Sequence, residues 1–228
     1  MMPETTYQQN PRRRISLPRM IGTILAALLL LPYAIAPLYN FIRPVSTPML
    51  WRYLTLQRVE RVYTPIERLG RAVPLAVIIA EDGRFCSHYG VDFQEIQNAI
   101  ADAEDMDDLR GGSTITQQVA KNLFLWGGRS FVRKALEFPL ALWIDLVMSK
   151  RRVLEIYLNV AEWGPDGEFG VEAGSRRAFG RPAAAAGATE AALLAAMLPN
   201  PAKRDAKRPG PGLRHEQRRL SGARPTSG

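Results

Sequence analysis

Hydrophobic positions form one long unbroken run in this chain and recur at helical spacing almost everywhere else. From Met20 to Ile42, 23 residues pass without a charge between Arg19 and Arg43. A helix rising ~1.5 Å per residue would reach about 34 Å over that length, enough to cross a ~30 Å hydrocarbon core. Pro32 and Pro37 are the points where it would kink or end. Beyond residue 50 the period is close to 3.6, with hardly any alternating stretch. A short helix is expected from Pro74 to Glu81, with Leu75, Ile78 and Ile79 facing inward. Asp92 and Glu95 read as a capping box opening Phe93 to Ala103, with Ile96, Ala99 and Ile100 on one face. The acidic stretch from Asp102 to Arg110 reads as a connector, and Gly111-Gly112-Ser113 opens a helix to about Leu125. Ser130 caps a helix to Met148 that bends at Pro139, and Ser149 caps one through Asn159. Val171 to Phe179 stops at Gly180, and Thr189 caps a last apolar helix ended by Pro199 and Pro201. The Arg-rich, Pro-rich and Gly-rich remainder is expected to be disordered.

These elements divide the chain into residues 1–19, a cytoplasmic N-terminus; 20–42, a transmembrane signal anchor; 43–59, a membrane-proximal linker; 60–202, the main helical domain; and 203–228, a basic tail expected to be disordered. A length of 228 residues suits one compact domain with extensions. Ala34-Ile35-Ala36 has the look of a signal-peptidase site, but Pro37 would follow the cut and fits an extended protease channel badly, which favours an uncleaved anchor. Arg43, Arg52, Arg58 and Arg61 match in number the arginines before the segment, so only the tight Arg12-Arg13-Arg14-Arg19 cluster favours a cytoplasmic N-terminus and an exported domain. Leu50, Trp51, Tyr53 and Leu54 suit the headgroup layer.

A net charge of +8 suggests nucleic acid until it is divided along the chain. Residues 203–228 carry eight Lys or Arg against Asp205 and Glu216, the N-terminal cluster stands against Glu4 alone, and the middle is within one charge of neutral. Basicity confined to the ends points to an anionic membrane surface or solvated tails and away from a nucleic-acid groove. The single cysteine, Cys86, excludes an intrachain disulfide and is expected to be a small buried packing residue.

Chemistry concentrates in two places. Glu81-Asp82-Gly83-Arg84-Phe85-Cys86-Ser87-His88 follows an apolar helix, whose negative end should raise the pKa of Glu81 toward that of a general base. A capped helix end with surface charges would look the same. Gly111 to Gln118 places hydroxyls and amides at a helix start, where free N–H groups suit a phosphate or sugar. Downstream, Glu137 lies on the helix face of Arg133 and Lys134, an arrangement equally open to a surface ion-pair ladder.

Together these blocks resemble glycosyltransferase family 51, the peptidoglycan glycosyltransferases, and within it the monofunctional biosynthetic enzymes with one membrane anchor. E-D-x-x-F-x-x-H-x-G is met by Glu81, Asp82, Phe85, His88 and Gly90; G-G-S-T-I-T-Q-Q-x-x-K-N by Gly111 to Asn122; and R-K-x-x-E by Arg133, Lys134 and Glu137. Ser149 to Asn159 resembles S-K-x-x-I-L-E-x-Y-L-N. Gly170 to Gly180 resembles G-x-x-A-A-x-x-Y-F-G, with Gly174 and Ala178 departing from the usual alanine and aromatic. The resemblance spans about residues 60–202 and implies an all-α, lysozyme-like domain that polymerises lipid II, inverting α to β at the anomeric carbon and releasing undecaprenyl pyrophosphate. It implies Glu81 and Glu137 as the catalytic pair, Glu81 being the base. Asp82, Ser113, Thr116, Gln117, Gln118, Lys121, Asn122, Arg129, Arg133 and Lys134 are implied as substrate or pyrophosphate contacts. It implies no organic cofactor, leaves a divalent cation (Mg²⁺ or Mn²⁺) open, and leaves room for other cell-wall synthesis proteins as partners at the bacterial inner membrane. His88 is expected to be structural. A membrane-anchored scaffold with a degenerate site and a lysozyme-like glycan-cleaving enzyme are the rivals.

Overall fold

The computed structural model describes residues 16–102, 112–128 and 130–222. Among them are ten α-helices and one short parallel strand pair. The helices are α1 (Leu17–Ile35), α2 (Thr47–Leu54), α3 (Ala72–Glu81), α4 (Phe93–Asp102), α5 (Ile115–Phe124), α6 (Phe131–Val147), α7 (Lys150–Val160), α8 (Val171–Phe179), α9 (Ala188–Met197) and α10 (Pro211–Ser221). The strands β1 (Glu60–Arg61) and β2 (Glu168–Phe169) pair in register Glu60 with Glu168 and Arg61 with Phe169. Asp102 ends α4, and the rest of the expected connector, residues 103–110, the Arg12 to Arg14 cluster and Arg129 lie outside the described residues.

The apolar run forms α1, which starts three residues before Met20 and gives way to a 3₁₀ turn over Ala36–Asn40. The change falls at Pro37, which has no N–H to give to the Tyr33 carbonyl four residues back. No residue of α1 is buried, so its leucines face outward. Leu17–Asn40 contains an 18-residue segment of mean hydropathy 2.1 and is the one stretch among the described residues long and apolar enough to cross a membrane. Its C-terminal end is fastened to the rest of the chain. The Trp143 indole N–H donates to the Tyr33 carbonyl at 2.9 Å, Asn40 donates to the Val147 carbonyl at 2.9 Å, and Arg152 donates to the Tyr39 and Ile42 carbonyls. The next helix, α2, buries Met49 but leaves Leu50, Trp51, Tyr53 and Leu54 exposed.

The centre of the domain is α7, buried without interruption from Val153 to Val160 and packed on α5. Its two interior polar residues are satisfied. Glu155 accepts from the Tyr63 hydroxyl at 2.6 Å and the Ile66 N–H at 3.0 Å, while Asn159 accepts from the Thr64 N–H at 2.8 Å and donates to the Thr64 carbonyl at 2.9 Å. The E-x-Y-L-N block is therefore a fastener for the segment leading into α3, since buried polar groups must be paired to be tolerated.

Four local expectations change. The inward stripe of α3 is Val73 and Val77, and Leu75 and Ile79 are half exposed. Every residue from Ala72 to Ala80 is apolar or proline, so periodicity within the helix cannot phase it. Cys86 is exposed: the turn from Gly83 to Gly90 spends its inward positions on Phe85 and His88. The residue capping α9 is Gly187, whose N–H is met by the Glu190 carboxylate at 3.2 Å, and Thr189 lies within the first turn. The basic tail contains α10, which packs on α9 and α3. Pro211 at its first turn and a left-handed Gly222 at its end are helix punctuation inside a composition that otherwise reads as disorder. Buried Leu213 and half-buried Leu220, seven residues apart, give it one apolar stripe.

The two departures in the α8 block also have surroundings. Gly174 lies against fully buried Trp163, and a Cβ there would stand 2.5 Å from the Trp163 Cβ. Ala178 packs half buried at the edge of the same core. Gly174→Ala is expected to cost about 1–3 kcal/mol by overpacking, lowering Tm by roughly 2–4 °C per kcal/mol in thermal unfolding. An unchanged Tm would show that Trp163 shifts freely.

Candidate active site

The site begins where α3 ends and α5 begins. Asp82 follows the last residue of α3, in extended backbone (φ −163°), and its buried carboxylate binds two groups. Oδ2 accepts the Ile115 N–H at 2.9 Å, and His88 Nε2 lies 2.9 and 3.0 Å from the two oxygens. The Thr114 hydroxyl adds a bond to the Gly90 carbonyl at 2.6 Å. Gly90 has φ +71°, and a Cβ would stand 2.5 Å from the Ala141 carbonyl oxygen, so only glycine fits. Thr114 and Gln117 form a reciprocal capping box that starts α5. The first two motif blocks are thus joined into one rigid wall.

Glu81 and Gln118 lie on that wall, beside a cleft of about 620 Å³ that Arg84, Glu95, Ser113 and Arg219 also line. Gln118 Nε2 donates to Glu81 Oε2 at 2.8 Å, and the Tyr157 hydroxyl donates to Gln118 Oε1 at 3.0 Å. Burial raises the Glu81 pKa above the ordinary glutamate value, with the Gln118 bond and the charges of Lys121 and Arg204 opposing the rise. Desolvation is the leading cause.

Beside the cleft stands a cationic group. Lys134 Nζ donates to the Ser113 hydroxyl at 2.6 Å and lies 3.2 Å from Glu137 Oε2, while Arg133 pairs with Glu137 one turn back along the same helix. Glu137 is 3% exposed. Burial, then the nearby Arg133 and Lys121 charges, hold the Lys134 pKa down at about 8, and burial and Arg133 also lower that of Lys121. Among the described residues, Arg133 and Lys134 share the one carboxylate of Glu137.

The residues anticipated from sequence separate into three groups. Glu81, Asp82, Ser113 and Gln118 line the cleft, and Lys121, Arg133, Lys134 and Glu137 make up the charged group beside it. Asp82 is also the clamp, whereas Thr116 and Gln117 turn inward: Gln117 is the cap, and Thr116 has no exposure, its hydroxyl 3.5 Å from Asp145. Thr116 and Gln117 are buried on the inner face of α5, because a helix presents each face only every three to four residues, whereas Asp82 reaches the cleft while held by Ile115 and His88. On α5 that outer face is Gln118, Lys121 and half-buried Asn122. No placement is described for Arg129. His88 is buried against Asp82.

A protein-built divalent site does not fit the residues described. Among them no group of three or more His, Cys, Asp or Glu side chains converges, and Glu137 already faces two cations. Sequence reasoning missed Tyr157, although a tyrosine on a buried helix must place its hydroxyl somewhere. It also missed Arg204 and Arg219, which the expected disorder of the tail removed from consideration.

Residues 49–221 match the family described as transglycosylase. The chain is 59% identical over 199 residues to the biosynthetic peptidoglycan transglycosylase of Nitrobacter hamburgensis, covering 86% of this chain and 88% of that one. Proteins of the same description from Agrobacterium fabrum (52% over 197 residues, 86% of each chain) and Brucella suis (49% over 207 residues, 90% and 92%) are also similar.

Proposed function

Because the chain belongs to the transglycosylase family and is a peptidoglycan glycosyltransferase, we propose that it polymerises lipid II by direct displacement, with Glu81 as general base. Its substrates are lipid II and the growing glycan chain. The observation that carries the role of Glu81 is its half-buried carboxylate at the cleft, with Oε2 held by Gln118 and no protein hydrogen bond to Oε1 among the described residues. Oε1 takes the proton from the 4-hydroxyl of an incoming lipid II. The freed oxygen attacks the anomeric carbon of the lipid-linked chain from the face opposite the pyrophosphate, so α becomes β as the carbon–oxygen bond to undecaprenyl pyrophosphate breaks. A carboxylate whose pKa is raised toward the working pH is a stronger base while still ionised.

Negative charge grows on the departing pyrophosphate, and Lys121, Arg133 and Lys134 answer it. Cations whose pKa values are depressed by burial gain most from a new anion, because the anion restores the stabilisation that desolvation removed. Glu137 acts by holding Arg133 and Lys134 in place. It is buried between two cations and is not aimed at the cleft as a proton donor. A cleaving enzyme would need a protonated acid beside the scissile oxygen and would have little use for this cation group.

The domain division and topology belong to the same proposal. Residues 20–42 supply a single anchor, the N-terminus stays in the cytoplasm, and the catalytic domain faces the periplasm, where the stitched end of α1 keeps the cleft near its lipid-linked substrate. Protease added to sealed spheroplasts should digest the chain beyond residue 43, and a protected C-terminal part would overturn the topology.

Polymerisation of labelled lipid II by the detergent-solubilised protein, resolved by product size, tests the chemistry. Wild type should give long strands without soluble sugar fragments, and folded Glu81→Gln should be slower by about 10²–10⁴-fold, the usual contribution of a general base. Equal polymerisation by the variant would remove Glu81 from this role.

A further inference from the structure

The hydroxyl of Tyr157 lies deep in the domain, on the helix that forms its centre. Tyr157 is 1% exposed, and its hydroxyl has one recorded hydrogen bond, to Gln118 Oε1 at 3.0 Å. Burial, with the Glu81 charge beyond, keeps the phenol protonated far past neutral pH. A neutral phenol must donate its proton somewhere, and among the described residues the amide oxygen of Gln118 is the acceptor in reach. A glutamine side chain is nearly symmetric in shape but opposite in polarity at its two ends, so fixing the oxygen toward Tyr157 fixes the N–H₂ toward Glu81. That is the observed order, with Gln118 Nε2 donating to Glu81 Oε2 at 2.8 Å.

We propose that Tyr157 is a positioning residue for the catalytic carboxylate: its hydroxyl locks the Gln118 amide so that a donor, never an acceptor, meets Glu81. This rests on the reading of Glu81 as the base. The lock has two effects. It aims Oε1 at the cleft by occupying Oε2, and it favours the ionised carboxylate, because a donated hydrogen bond stabilises the anion. Without the phenol, the amide turns over freely. Its oxygen can then face Glu81, which favours the protonated acid and disables the base. Other charges act on Glu81 from every side: Asp82 on its own turn, Lys121 from α5, Arg204 from the segment after α9, and Arg84, Glu95 and Arg219 around the cleft. None of them touches the Gln118 amide, so a change at Tyr157 leaves their contribution in place.

The test is the pH dependence of kcat/KM for lipid II polymerisation by full-length protein, in wild type, Tyr157→Phe, Gln118→Met and the double variant, with Glu81→Gln alongside. The sign follows from the protonation states: the active form has lost the Glu81 proton, so a higher Glu81 pKa moves the acid limb to higher pH. Tyr157→Phe should move it up by about 0.5–1 unit, the worth of one neutral hydrogen bond, with a three- to tenfold loss below the limb. KM should change little. Gln118→Met should move the limb the same way, and adding Tyr157→Phe to it should change kcat/KM by less than about twofold, since both act through one amide.

An acid limb unmoved in Gln118→Met would overturn the proposal even if Tyr157→Phe failed to fold, and so would additive losses in the double variant. An inactive Glu81→Gln beside a Tyr157→Phe of wild-type profile would sink the positioning role alone. An active Glu81→Gln would take both readings down together.

Discussion

The buried carboxylate of Asp82, shared between the Ile115 N–H and the His88 ring, is the constraint on which the site depends. It joins the residue after α3 to the first residue of α5, two positions far apart in sequence. Glu81 precedes the clamp by one residue and Gln118 follows it by three, so their approach to 2.8 Å is a consequence of where the clamp sits. Hydrogen bonds to an ionised acceptor are worth roughly 1.5–3 kcal/mol each, and an unpaired carboxylate at this depth would be costly. The Asp82, His88 and Gly90 positions of the first block and the Thr114 and Gln117 positions of the second are thus joined into the wall that positions Glu81 and Gln118.

Burial then sets the electrostatics. The same withdrawal from water that raises the Glu81 pKa lowers those of Lys121 and Lys134, so each group is held nearer the point of exchanging a proton or accepting a counter-charge. The arrangement is stable because opposite charges remain within reach: Glu137 lies between Arg133 and Lys134, and Lys121 acts on Glu81. On the proposed reading, a pyrophosphate arriving beside Ser113 would complete the balance.

Much of this was legible in the sequence, for reasons that differ by element. Caps at Ser130 and Ser149 and the stop at Gly180 are local signals, and the helices begin or end there, while the start read at Gly111 to Ser113 falls just ahead of the Thr114 cap of α5. The motif blocks named the right neighbourhoods, but a motif does not record which side of a helix each letter faces. Thr116 and Gln117 therefore read as contacts although they point into the core. The phase of α3 was hidden because all its faces are apolar, and Cys86 because a short turn has no period. The tail was misread because composition averages over residues, whereas α10 depends on a few placed ones: Pro211, Leu213, Leu220 and Gly222. Tyr157 escaped because its partner, Gln118, lies on another helix, a pairing only the fold reveals.

Burial, tempered by the Gln118 amide, raises the Glu81 pKa above that of an ordinary glutamate. Isotope-edited infrared titration of ¹³C-glutamate protein, taken as the difference between wild type and Glu81→Gln, reads that carboxylate directly and without turnover. The account predicts a carboxylate band that converts to the protonated form at a pH above the ordinary glutamate value of about 4.3, and conversion at or below that value would contradict it.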